Sequence, residues 1–148
     1  MASLTHGQPV QLEHRVLRLP PKDYQPPGWV STHELLQPNS GDERTAGFRR
    51  EPVRVSVWDL EVCTLAQAVA FREGYTLMVA YRSTPAAIVA VDPTIGVVYD
   101  ALDPPAADRP GADGHAGIEG LTRRKPLESK PQWRDRLATI AQTFLVHE

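Results

Sequence analysis

The chain has 148 residues, 41% hydrophobic and 23% charged, which is the size and balance of one globular domain rather than a disordered chain. Its 16 basic and 18 acidic residues leave a net charge of −2, without the basic surplus that phosphate neutralisation asks of nucleic-acid domains, so only a local basic patch keeps that class open. The single Cys63 excludes an intramolecular disulfide and suits a reducing compartment, where it reads as a buried, inert thiol.

Proline, at 14 residues, is well above the usual ~5%, which marks loops and an irregular arm. The first 20 residues hold no apolar signal core. No apolar run approaches the ~18 residues of a membrane span. The expectation is a cytoplasmic protein of α+β class: a small antiparallel meander sheet packed by two helices, with an irregular Pro-rich N-terminal arm. The arm is residues 1–51 and the body residues 52–148.

In the arm, Val10, Leu12 and Val16 alternate with polar residues and predict a half-buried strand, with a phase shift at Leu17 and Leu19. Pro20, Pro21, Pro26, Pro27 and Gly28 predict extended or polyproline-like backbone. Trp29 follows them and reads as an aromatic anchor, tying the arm to its own domain or to a partner. Ser31 is placed to cap a short helix over Glu34–Leu36 that ends before Pro38. Residues 38–51 are polar and turn-rich and predict a mobile loop.

In the body, Val53, Val55 and Val57 alternate with Arg54, Ser56 and Trp58 and predict a strand, with Trp58 near a sheet edge. Thr64 and Gln67 form a capping-box pattern ahead of a helix carrying Leu65, Ala68, Val69 and Arg72, with Gly74 as its stop. The runs 76–82, 86–91 and 96–102 are apolar and separated by RSTP and DPTIG, which predicts a three-strand meander covered on both faces. A long surface loop follows. Ser129, Gln132 and Pro131 open the last helix, whose Trp133, Leu137, Ile140 and Phe144 fall on one stripe.

The segment GADGHAGIEGL, residues 111–121, is the most suggestive for chemistry. It sets His115 among glycines with Asp113 and Glu119, and an extended backbone places His115 and Glu119 on one face. His115 is therefore a candidate general base with Asp113 or Glu119 orienting it, against the plainer reading of a glycine-rich turn whose histidine bonds a backbone carbonyl. The phosphate-loop pattern and the dinucleotide GxGxxG are missing, and His6, His14, His33 and His147 lack zinc spacing, so no cofactor or metal is expected. Arg123, Arg124 and Lys125 form a basic cluster suited to nucleic acid or to an acidic protein face, with Arg49, Arg50 and Arg54 a weaker second one.

The strand VSVWDL, the GADGHAGIEGL segment and the Pro-Trp helix resemble short bacterial proteins encoded beside conflict or defence genes, over residues 53–145. The resemblance carries over no catalytic residues. It implies a protein partner, the product of a neighbouring gene, and a non-enzymatic accessory role. A small hydrolase or transferase using His115, and nucleic-acid binding through Arg123, Arg124 and Lys125, stand as alternatives.

Overall fold

The computed structural model describes residues 6–21, 24, 32–72 and 79–147. Trp29, Ser31, Gly74 and residues 76–78 lie outside the described residues. In chain order the elements are β1 (Val16–Arg18), α1 (Ser40–Arg49), β2 (Arg54–Asp59), α2 (Leu65–Ala70), β3 (Tyr81–Ser83), α3 (Pro85–Val91), β4 (Gly96–Tyr99), β5 (His115–Glu119), α4 (Lys130–Ala141) and β6 (Leu145–Val146). Single 3-10 turns occupy His33–Leu35, Ala106–Asp108 and Ala112–Gly114.

The fold is α+β around one antiparallel sheet in the order β4-β5-β2-β1-β3-β6. The arm's strand β1 sits inside this sheet, between β2 and β3, and the pairs β5-β2, β1-β3 and β3-β6 join strands that are not consecutive in the chain. At one edge, backbone bonds from Gly7 and Val10 to Tyr99 and Val97 screen β4 from further pairing.

Side-chain alternation distributes two cores. Val55 and Val57 of β2, Ala116 and Ile118 of β5 and Val97 and Tyr99 of β4 join Ile88 of α3 and Leu137, Ile140 and Ala141 of α4 in the larger one. Each fully buried branched side chain there contributes roughly 1.5–3 kcal/mol. Trp133 packs against it from the last helix, as the stripe requires, whereas Phe144, expected on the same helix, is buried in it from the turn that follows Ala141. On the opposite face Leu17, Leu19, Trp58, Cys63 and Ala68 form a smaller cluster. Both body capping boxes form: Thr64 Oγ1 accepts from Gln67 N at 3.1 Å, and Ser129 Oγ accepts from Gln132 N at 3.2 Å.

Three expectations are corrected. Residues 86–91 are not the middle strand of a meander but helix α3. Thr84 caps it by accepting from Ala87 N, and Pro85 stands where its missing N–H costs nothing, so RSTP is a helix start rather than a turn. Seven residues of small and branched side chains have no period that separates strand from helix. Residues 38–51 are not a loop: Asn39 and Asp42 exchange side-chain-to-backbone bonds in a capping box and launch α1. That helix buries only Ala46, so its sequence shows no apolar stripe. Trp58 is not at an edge; it is 6% exposed on a central strand, packed against Phe71 and His115.

Candidate active site

Beside α1, the β2–β5 pair turns a polar strip away from the larger core. The register sets Arg54 opposite Glu119, Ser56 opposite Gly117 and Trp58 opposite His115. Period-two alternation sends these side chains to one face while Val55, Val57, Ala116 and Ile118 go to the other. His115 opens β5 directly after the Ala112–Gly114 turn, and its backbone oxygen accepts from Asp100 N at 3.0 Å.

The imidazole of His115 is held at both nitrogens. Nδ1 lies 2.7 Å from the carbonyl oxygen of Asp100, and Nε2 lies 2.9 Å from Ser56 Oγ. A carbonyl only accepts, so Nδ1 carries the proton and donates it. In the neutral ring Nε2 is then a bare acceptor facing the Ser56 hydroxyl, which donates to it. Trp58 holds the ring edge-on, with centroids 4.8 Å apart. Burial pushes the His115 pKa below its ordinary value. The Asp100 carbonyl and carboxylate pull the other way and the Arg49 charge adds to the depression, so the ring is neutral near pH 7. A serine donating to a neutral, oriented histidine is the arrangement that generates a nucleophile.

Charged groups surround the pair. Arg54 gives Nε to Glu119 at 2.8 Å and Nη1 to Asp100 at 3.2 Å. Arg49 gives Nη1 to the same Asp100 carboxylate at 3.0 Å and Nη2 to Ala101 O at 3.0 Å. The second Asp100 oxygen stands 3.8 Å from His115 Nδ1, close enough to favour a positive ring although it makes no bond to it. His6 accepts from Ala101 N at Nδ1, so its Nε2 donates to Glu51 at 2.6 Å. The cleft over these groups encloses about 370 Å3 and is lined by Asp42, Thr45, Arg49, Ser56, Asp103 and His115 among others. This volume falls within the range of small-molecule sites.

The sequence candidates divide. His115 is at the centre, and its Nδ1 makes the carbonyl bond of the plainer reading while its Nε2 faces a hydroxyl in a cleft. Among the described residues, neither proposed carboxylate is a hydrogen-bond partner of His115: Glu119 shares its face but is bound by Arg54, and Asp113 is exposed on the preceding turn. Arg124 turns to Asp92 at 3.0 Å, while Arg123 and Lys125 line a different cleft. Sequence reasoning missed Ser56, Asp100, Arg49 and Arg54 as members of this site. Alternation did place Ser56 on the face away from Val55 and Val57, but nothing in the spacing joins residue 56 to residue 115.

Comparison with protein-family models, with curated proteins and with solved structures gives no match. The functional reading therefore rests on geometry. Among the described residues no group of three or more His, Cys, Asp or Glu is placed to hold a metal ion. No helix among them is long and apolar enough to cross a membrane. Burial and the Asp59 charge push the Cys63 thiol up to about 11, so it is protonated and unreactive in the folded chain.

Proposed function

We propose that the protein is a small serine hydrolase or acyl transferase in which Ser56 is the nucleophile and His115 its general base. The observation that carries the reading is the 2.9 Å contact from Ser56 Oγ to an imidazole nitrogen whose tautomer is fixed by the Asp100 carbonyl, within an open cleft. In the acylation step Ser56 Oγ attacks the substrate carbonyl carbon and its proton passes to His115 Nε2. The imidazolium is stabilised by the Asp100 carbonyl and by the nearby carboxylate. Collapse of the tetrahedral adduct expels the leaving group, which takes that proton. Water or another acyl acceptor then releases Ser56 by the same route reversed. Arg49 and Arg54 also line the cleft, with their guanidinium groups paired to Asp100, Asp103, Glu51 and Glu119, so they hold the Asp100 side of the site in place.

The test is turnover of a panel of activated oxygen esters and thioesters by the full chain. Ser56→Ala and His115→Gln are expected to lower kcat by about 10²–10⁴-fold. Neither should abolish the native circular dichroism. Turnover that survives Ser56→Ala, or its absence across the panel in folded wild-type protein, rejects the assignment.

A second reading is a non-enzymatic, protein-binding accessory module of a bacterial defence-related system, acting in the cytoplasm. The resemblance of VSVWDL and GADGHAGIEGL supports it, as does Phe48, which stands 91% exposed on α1 in a surface shared with Thr45, Arg49 and Asp103. An exposed aromatic of that size suits an interface anchor. Phe48→Glu should abolish co-purification with the neighbouring gene product; unchanged recovery rejects this surface.

A further inference from the structure

Independently of Ser56, we infer that a second cleft, at the start of α4, binds a nucleotide unit: a phosphate on lysine and arginine, with its base stacked on Trp133. The cleft encloses about 350 Å3 and is lined by Arg123, Lys125, Lys130 and Trp133, with Glu43 of α1 opposite. Three cations against one carboxylate give it a positive interior in a chain whose net charge is −2. The chain has thus concentrated locally what it lacks overall.

The cations are available. Among the described residues the ammonium groups of Lys125 and Lys130 make no hydrogen bond or ion pair, whereas the neighbouring Arg124 and Arg136 are engaged by Asp92 and Glu128. Arg123 is aimed by its Nε, which donates to Glu128 O at 2.7 Å. The aromatic surface is fixed as well. Trp133 Nε1 donates to Leu121 O at 2.7 Å, which sets the plane of the indole, and the ring packs against the core while also lining the cleft. A ring already held in place loses little freedom when a base stacks on it. Free ammonium groups beside an anchored indole match the two halves of a nucleotide, a charged phosphate and a flat base. An acidic peptide would use the cations and leave the indole idle.

The same chemistry is offered by a free nucleotide and by a single strand, and titration separates them. The full chain, 15N-labelled, is titrated with AMP, adenosine, inorganic phosphate and a six-nucleotide deoxyadenylate strand. The Trp133 indole N–H resonance, identified by its loss in Trp133→Phe, reports binding. AMP or the strand should move it, with adenosine and phosphate each at least tenfold weaker. Lys125→Glu with Lys130→Glu should weaken binding at least tenfold and leave the melting temperature unchanged, because both side chains are exposed. A strand that binds more tightly than AMP and weakens with added salt assigns the site to nucleic acid. Equal affinities assign it to the free nucleotide. No response to AMP or to the strand, phosphate binding as tightly as AMP, or indifference to the lysine changes overturns the inference. None of these outcomes depends on esterase activity.

Discussion

Gly117→Ala tests the packing that carries the polar strip. Gly117 lies on β5 between Ser56 of β2 and Val98 of β4. A Cβ there would stand 2.6 Å from Arg54 Cβ and 3.1 Å from both Arg54 Cγ and Cδ. Rotating the arginine relieves the outer contacts but not the first, because the position of its Cβ is set by the β2 backbone. The strands must therefore separate or shear, which costs about 1–3 kcal/mol in overpacking. Loss of glycine's freedom in the unfolded chain returns roughly 0.4–1 kcal/mol. The middle of the two ranges leaves about 1.3 kcal/mol of destabilisation, a fall in Tm of roughly 3–5 °C for a chain of this size. Urea unfolding followed by circular dichroism, with calorimetry, measures it. Gly47→Ala is the matched control: it lies within α1 with nothing inside 4 Å of its added methyl, and it should stabilise by roughly 0.5–1 kcal/mol. If Gly117→Ala were as stable as the wild type, Arg54 would not lie across Gly117, and the description of the strip would be wrong.

The His115 pKa is depressed in the folded state by burial, so the unfolded chain binds more protons below pH ~6.5. Its contribution to stability is complete above that pH and is lost as pH falls through it. The urea midpoint should decline between about pH 7 and 5.5, less steeply in His115→Gln; parallel profiles would contradict the neutral buried ring. Tyr99→Phe removes a 2.5 Å bond to Asp59, a carboxylate with no exposed surface that also binds His14 at 2.8 Å. The cost should be about 1.5–3 kcal/mol by urea unfolding, and a neutral result would contradict the buried charge. Native protein at pH 7 should react with a disulfide reagent such as DTNB only as fast as it opens, and in full once unfolded, since the Cys63 thiol is held near 11; prompt native labelling would contradict that.

What the sequence made legible was local. The capping boxes at Thr64 and Ser129, the alternating Val55 and Val57 and the helical pair Leu137 and Ile140 all announce themselves within a few residues, and the structure contains each of them; Phe144 is buried too, but from the turn after the helix. Helix α1 was illegible because it buries a single alanine, and its cap uses Asn39 with Asp42 rather than serine with glutamate. Helix α3 was misread because a short apolar run has no period to decide by. His115 was visible as a titratable side chain among glycines. Its partners were not, since Ser56 and Asp100 reach it only through the pairing of β2 with β5 and the bonds between Asp100 and the start of β5. Pairing of that range leaves no mark in spacing.

The central claim is that the Ser56 hydroxyl is made nucleophilic by His115, and labelling with a fluorophosphonate tests it most directly. Attack of Ser56 Oγ on phosphorus expels fluoride and passes the proton to the imidazole, adding one phosphonyl group per chain. Intact-mass and peptide mapping should find a single adduct on Ser56, formed at a rate that follows the neutral fraction of His115 and lost in His115→Gln. A folded protein that stays unlabelled, or that labels Ser56 equally well without His115, would contradict it.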